Sequence, residues 1–247
     1  MYDQDFAEIY DDVYRRHRNY PREAAHTKEL ALAHCPAAAS LLDVGCGTGE
    51  HLKYLREDFE VAGVDLAEPM VEIARRKLGD VPVHQGDMRT FDLGRTFDVV
   101  CSVYSPVGYL RSADDLCTAV LRMAAHLSPG GVLIVEPWIL RENWNGGDLA
   151  TATFEVNGRR VVRMGKWKTR DDQSYVEMHY LVGDSETVRH FVDRQDLTLF
   201  SREQYEKAFI GAGCSVEFLE QGYGDRGVFV GTRLDGRAGE TNGSTRR

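Results

Sequence analysis

Several kinds of feature are missing from this sequence, and each absence excludes a class of protein. No apolar run approaches the roughly 20 residues that a bilayer-spanning helix needs. The five cysteines, Cys35, Cys46, Cys101, Cys117 and Cys214, contain no CxxC pair, and their number is odd. The expectation is therefore reduced thiols in a cytoplasmic protein, with neither a disulfide framework nor a metal site. No signal peptide is visible, because the opening Met1-Tyr-Asp-Gln-Asp5 is acidic where a leader would be basic. An excess of positive charge is also missing: 39 acidic against 30 basic side chains leave a formal charge of −9. Such a chain has no overall attraction for nucleic acid or for anionic membranes. Internal repeats are absent as well. What remains is 247 residues, 43% of them hydrophobic, enough for one core or for one domain with a sizeable insertion.

Along the chain, Phe6, Ile9, Tyr10, Val13 and Tyr14 fall on one face of a predicted helix. Pro21 can open a second helix. From Ser40 short apolar strands alternate with helices: strands at 41–44, 61–65, 81–84, 97–103 and 132–136, helices at 49–58, 68–78 and 113–127. This alternation predicts a parallel sheet covered by helices on both faces. Residues 151–200 change to period-2 alternation with an Asn157-Gly158 hairpin signal, and predict three or four antiparallel strands. Ser201 and Gln204 form a capping box for a helix to about Ile210. Two further strands follow at 215–219 and 227–232, joined by the glycine-rich loop 221–226. The composition beyond residue 235 reads as a disordered tail.

The sequence Asp43-Val-Gly45-Cys46-Gly47-Thr-Gly49 lies between a strand and a helix. A dinucleotide site wants G-x-G-x-x-G, which leaves room for a pyrophosphate. The tighter G-x-G-x-G suits an amino-acid tail, whose ammonium Asp43 and backbone carbonyls can meet. Asp65, ending the second strand, can accept from both hydroxyls of a ribose; the bland reading is a solvated helix cap. Asp87, in Gly86-Asp87-Met88, can accept from an adenine amino group while the Met88 amide donates to the ring; the bland reading is an aspartate capping its own loop. These acids sit at the carboxyl ends of successive strands, where open α/β sheets bind ligands.

The segments LLDVGCGTG, VAGVDLAEPM, HQGDMRTFDLGRTFDVV and LSPGGVLIVEPW resemble class I, Rossmann-like S-adenosylmethionine methyltransferases. The resemblance implies an α/β doubly wound sheet with an inserted antiparallel β subdomain, S-adenosylmethionine as cofactor, S-adenosylhomocysteine as product, and no metal. It implies cofactor contacts from Tyr14, Asp43, Gly45, Cys46, Gly47, Asp65, Leu66, Met70, Asp87, Met88 and Val103. MYDQDFAEIYDDVY, SPVGYLRS, EPW, VRHFVDRQDLTLFSREQYEKAF and DRGVFVG are similar to the N,N-dimethyltransferases of nucleotide-linked amino sugars, of the desosamine and mycaminose type, in antibiotic pathways. A dTDP-linked amino deoxysugar is then the expected substrate. Residues 1–138 and 201–234 would form the cofactor-binding core, 139–200 an inserted subdomain for substrate or assembly, and 235–247 the tail.

Methyl transfer needs a neutral amine held in line with the S–CH₃ bond, about 3 Å away. Tyr14, Glu136 and His179 are the candidate catalytic residues. Each has a plainer alternative: a tyrosine packing the lid, a structural acceptor, a surface histidine. Ser105, Tyr109, Trp138 and Arg226 are the candidate substrate-binding residues. Arg159, Arg160, Arg163, Lys166, Lys168 and Arg170 could clamp a diphosphate, or protect a solvated hairpin edge. Exposed strands in the insertion make a homodimer a candidate assembly. The rival functions are methylation of another small amine or a hydroxyl, and a non-catalytic cofactor-binding partner protein.

Overall fold

The structure, a computed structural model, describes Tyr10, Asp11, Tyr14 and residues 18–234. Phe6, Ile9, Val13 and the tail from 235 lie outside the described residues. Helix α1 (Tyr20–His34) starts where Asn19 caps the Arg22 amide and Pro21 occupies the first turn. A seven-stranded sheet then builds up from β1 (Ser40–Val44), β2 (Glu60–Asp65), β3 (Val83–Gln85), β4 (Phe97–Ser102) and β5 (Leu127–Val135), closed by β10 (Glu217–Leu219) and β11 (Val228–Thr232). The connecting helices are α2 (Glu50–Leu55), α3 (Glu68–Leu78) and α4 (Ala113–Ala125), with α5 (Arg202–Gly211) leading to β10.

The strand order is β10-β11-β5-β4-β1-β2-β3. The first five strands run parallel, and β11 enters antiparallel beside β5. The chain moves outward from β1 to β3 and then crosses back to β4 on the other side of β1. That reversal puts a topological switch point between β1 and β4, and the crevice outside their carboxyl ends is the natural ligand site. Alternate residues of the central strands feed two cores. Leu42, Val44 and Val100 pack toward α4 and α5, whereas Leu41, Val99 and Cys101 pack toward α1, α2 and α3. Strands buried on both faces need apolar residues at consecutive positions, as these have.

The helix after β4 ends at Ala125, and β5 starts at Leu127, five residues earlier in the sequence than the Val132 start predicted from apolarity. The β4–β5 register jumps from Phe97↔Leu127 to Val99↔Val132, so Ser128–Gly131 is accommodated as a bulge inside the strand. The Ser201–Gln204 capping box forms as expected.

The predicted antiparallel region is a separate four-stranded sheet, β6 (Leu149–Val156), β7 (Arg159–Arg170), β8 (Gln173–Gly183) and β9 (Val188–Thr198). Asn157 and Gly158 both have positive φ, 49° and 74°, as a type I′ hairpin turn demands. Val161, Val176, Met178, Tyr180 and Leu197 make one face apolar, and this face packs on Tyr14, Tyr104 and Trp138. Trp138 Nε1 donates to Ser174 Oγ at 2.8 Å and Thr198 Oγ1 to the Leu110 carbonyl at 2.6 Å. The second sheet therefore roofs the crevice.

Gly63 lets β2 pass close beneath the glycine loop: a Cβ there would sit 2.8 Å from both Cys46 Sγ and Leu52 Cδ1. Neither neighbour has room to retreat in a close-packed interior. Gly63→Ala is expected to lower stability by about 1–3 kcal/mol, read as a lower urea midpoint with an unchanged m-value.

Candidate active site

A cavity of about 750 Å³ opens at the switch point, between the ends of β1, β2 and β4 and the inner face of the second sheet. Its floor is the bend at Gly45 and Gly47, where φ is +82° and +54°. The Gly45 and Cys46 amides both donate to the Val64 carbonyl, at 2.7 and 3.1 Å, which folds the loop back over β2. Asp65 laces this loop to the start of α3: Oδ2 accepts from the Gly47 amide and Oδ1 from the Ala67 amide, each at 2.8 Å. Burial raises the Asp65 carboxyl, and these backbone donors oppose the shift. Above Gly47 a Cβ would meet nothing within 4 Å, so the backbone there is open to a ligand.

Tyr14, Gly45, Gly47, Asp65, Leu66, Met70, Asp87, Met88 and Val103 all line the cavity. Asp43 and Cys46 lie one layer below it. The Cys46 side chain turns down onto Gly63, and burial pushes its thiol well up. Asp43 is 1% exposed, with Oδ1 near Cys101 Sγ at 3.8 Å and Oδ2 without a hydrogen bond. Burial pushes its carboxyl up to about 6, although His51 nearby pulls the other way. Asp87 reaches the cavity with its oxygens engaged by Arg89: Nε, Nη2 and the Arg89 amide all donate to it. The loop-capping role and the cavity position are thus combined in one residue.

The opposite wall is aromatic and basic. Tyr14 is buried, with its ring 4.2 Å from that of Tyr10 and edge-on to Tyr104 at 5.7 Å. Burial pushes its hydroxyl well above the ordinary range, so it stays protonated and serves as a donor. The helical stretch carrying Tyr10 and Tyr14 is moored by Asp11, which accepts from Thr48 Oγ1 and from Lys77 Nζ. Ser105, Tyr109, Trp138 and Arg226 all line the cavity. Ser105 Oγ already donates to the Pro137 carbonyl at 2.9 Å and accepts from Arg226 Nη1 at 2.8 Å. The Arg226 guanidinium covers the Trp138 ring at 4.3 Å.

Two expected catalytic side chains are not at the cavity. Glu136 is fully buried, behind the Tyr104–Ser105 turn, where Oε2 accepts from the Tyr104 amide at 2.5 Å. It does not line the cavity, so the structure places the expected catalytic glutamate behind the wall, not on it. His179 is displaced for a simpler reason. In β8 the residues Val176, Met178 and Tyr180 point inward, so His179, one position on, points outward. It bonds His190 at 3.0 Å and Glu177 at 3.2 Å on the outer face. Arg163, Trp167, Met178 and Asp193 line the cavity instead. The signal for Arg163, Trp167 and Met178 was present, since they share the period-2 set with Val161 and Val176. Tyr104, held by a left-handed backbone at φ +68°, had no such signal.

Residues 41–131 match the family described as "Methyltransferase domain". Over 243 residues the chain is 44% identical to the dTDP-3-amino-3,6-dideoxy-alpha-D-glucopyranose N,N-dimethyltransferase of Streptomyces fradiae, spanning 97% of this chain and 94% of that protein. It is 43% identical to the dTDP-3-amino-3,4,6-trideoxy-alpha-D-glucopyranose N,N-dimethyltransferase of Streptomyces venezuelae, over 94% of this chain and 99% of the relative. Among solved structures, Streptomyces venezuelae DesVI superposes with a TM-score of 0.90 at 43% identity, covering 93% of this chain and 99% of that one. The S-adenosylmethionine-bound CalS10, an amino pentose methyltransferase from Micromonospora echinaspora, superposes with a TM-score of 0.86 at 40% identity, over 95% and 98% of the two chains. Fold and crevice thus define an S-adenosylmethionine-dependent methyltransferase. The chain belongs to the family of N,N-dimethyltransferases that act on dTDP-linked amino sugars.

The buried Asp43 carboxyl carries a linked effect on stability. Its pKa of about 6 lies above the ordinary 3.8, so folding favours the protonated form. The contribution to stability is present below pH 4 and is lost as pH rises through 6, by about 3 kcal/mol in all. Asp43→Asn removes that loss. Urea unfolding without added cofactor should show the variant more stable than the parent at pH 8, with the difference shrinking toward pH 4.

Proposed function

We propose that this protein is an S-adenosylmethionine-dependent N-methyltransferase that dimethylates the amino group of a dTDP-linked amino deoxysugar, releasing S-adenosylhomocysteine, in an antibiotic pathway. One observation carries the reading. A single cavity, of a size suited to small molecules, has the Gly45–Gly47 bend and Asp65 at one end and Tyr14, Tyr104, Trp138 and Arg226 at the other. The first group fits an adenosyl sulfonium: open backbone above Gly47, Asp65 at the ribose position, and an unsatisfied Asp43 oxygen beneath, suited to an ammonium. The cofactor supplies a methyl carbon made electrophilic by its sulfonium charge.

The protein's own residues position the acceptor. A neutral amine is the nucleophile: its nitrogen forms the new bond to the methyl carbon as the S–CH₃ bond breaks. The protonated Tyr14 hydroxyl accepts one amine N–H so that the lone pair stays free, and the resulting ammonium gives its proton to water before the second transfer. Tyr104 and Tyr10 buttress the Tyr14 ring. Arg163 and Arg226 face the diphosphate, for which guanidinium groups are well shaped. The rate enhancement is then chiefly one of alignment, which suits a reaction needing no strong base.

The relatives named above bear N,N-dimethyltransferase names, which favours two methyl additions over one. Incubation with the cofactor and dTDP-linked 3-amino or 4-amino sugars should give mass increases of one and then two methyl groups. Arg163→Ala should raise KM for the nucleotide sugar by about tenfold or more. Cofactor binding without transfer to any nucleotide sugar would shift the reading to another acceptor or to a non-catalytic partner.

A homodimer is part of the proposal. On the outer face of the second sheet, Val162 pairs across with Leu181, and Met164 with His179, which pairs in turn with Val192. Val162, Met164 and Leu181 are 39%, 46% and 46% exposed there, a cluster of a kind that marks contact surfaces. Sedimentation equilibrium should report twice the chain mass, and Leu181→Glu should return the monomer. A cytoplasmic location is consistent with five free thiols and with the lack, among the described residues, of a helix long and apolar enough to cross a membrane.

A further inference from the structure

We infer that Glu136 is a positioning residue that fixes the distance between the methyl-donor half and the acceptor half of the site. The chain between these halves is the turn at Tyr104, Ser105 and Pro106. Tyr104 and Ser105 both have φ of +68°, the left-handed region that side-chain-bearing residues avoid. Such a residue is strained and persists only where its surroundings hold it.

Three contacts hold this turn. Glu136 Oε2 accepts from the Tyr104 amide at 2.5 Å. Ser105 Oγ donates to the Pro137 carbonyl, and Arg226 Nη1 donates to Ser105 Oγ. Glu136 is itself fixed, because its amide donates to the Ser102 carbonyl at 3.0 Å as the β4–β5 ladder ends. Its other oxygen, Oε1, is buried without a hydrogen bond and lies 3.9 Å from Arg226 Nη1. The carboxylate thus keeps the Arg226 charge partly balanced while its second oxygen pins the backbone.

The turn touches both halves of the site. Pro106 presses on the glycine bend so closely that a Cβ on Gly45 would come within 2.4 Å of Pro106 Cβ. The Tyr104 ring stands edge-on to Tyr14 and carries the Arg18 guanidinium at 3.9 Å. A shift of the turn therefore moves the cofactor floor against the wall that orients the amine. The Asp193 carboxylate lines the cavity, whereas Glu136 does not.

The inference rests on the methyl-transfer reading for its kinetic readout and stands free of it for its structural one. Glu136→Ala should lower kcat about 100-fold, as a misplacement near 1 Å does, with KM for cofactor and sugar changed less than threefold. Glu136→Gln keeps an oxygen for the Tyr104 amide; it should recover most of that loss and leave the pH profile of kcat in place. A crystal structure of the alanine variant should show Tyr104 or Ser105 moved out of the left-handed region. Should Glu136→Gln be as inactive as Glu136→Ala, with the acidic limb of the profile gone, Glu136 is a proton acceptor and the inference is wrong. It is equally overturned if the alanine variant keeps both φ values and full kcat. The glutamine variant's kinetics decide the matter where the alanine substitution weakens folding, and the crystal structure of the alanine variant remains readable if the sugar substrate is misassigned.

Discussion

The approach of Pro106 to Gly45 is the constraint on which the rest of the site depends. Two loops leave neighbouring strands, β1 and β4, at the point where the sheet reverses its winding. Methyl transfer needs donor and acceptor atoms about 3 Å apart and in line. Loops free to move independently could not hold that geometry. Here the β1 loop has no Cβ where the β4 loop lies against it, so the two behave as one body. Asp65 then ties this body to α3 through the Gly47 and Ala67 amides. The second sheet closes from above through Trp138 and Thr198.

The same region gathers most of the unfavourable local features. Asp43, Asp65 and Glu136 are carboxyl groups raised by burial, and Tyr104 and Ser105 are held in a conformation they resist. Each carries a local cost, even where, as in Asp65 and Glu136, the group also accepts backbone hydrogen bonds. They occur together because the carboxyl ends of parallel strands present several side chains and backbone amides to one small volume. The apolar packing of both faces of the main sheet offsets the cost, since Leu41, Leu42, Val99 and Val100 are all fully buried. The strained residues line the cavity, and the core supplies the surplus that tolerates them.

The sequence disclosed those parts of the structure that depend on local rules. A glycine at every second position between a strand and a helix can do little except bend tightly, so the cavity floor was legible in Gly45, Gly47 and Asp65. Apolar runs gave the parallel strands, and Asn157-Gly158 gave the hairpin through its need for two positive φ values. What stayed hidden depends on register and depth. His179 belongs to a clear period-2 strand, but periodicity tells which residues share a face and not which face meets the cavity. The inward set, with Met178, could be chosen only once the sheet was docked. Glu136 follows a strand that points at the crevice, and the Tyr104–Ser105 turn separates it from the cavity. Hydropathy carries no trace of that turn. Nor could apolarity alone show that β5 begins at Leu127, because a bulge around Gly130 and Gly131 hides the strand's true start.

The two buried carboxylates with an unsatisfied oxygen differ in what stands opposite each one. Glu136 Oε1 faces a cation of the protein itself, Arg226, at a distance too long for a hydrogen bond. Asp43 Oδ2 has no hydrogen bond, and the pull of His51 does not prevent burial from raising the carboxyl to about 6. A permanently buried and unsatisfied carboxylate would be a pure loss of stability. It is tolerable in Glu136 because the group works within the fold, through Tyr104. In Asp43 it is intelligible if a positively charged ligand group completes the pairing from the cavity floor. Glu136 is engaged within the fold, whereas the free Asp43 oxygen is the one left for the ammonium of the proposed cofactor. The distinction follows from one structural difference: Glu136 lies behind a backbone turn, and Asp43 lies directly beneath a glycine loop whose open side faces the ligand.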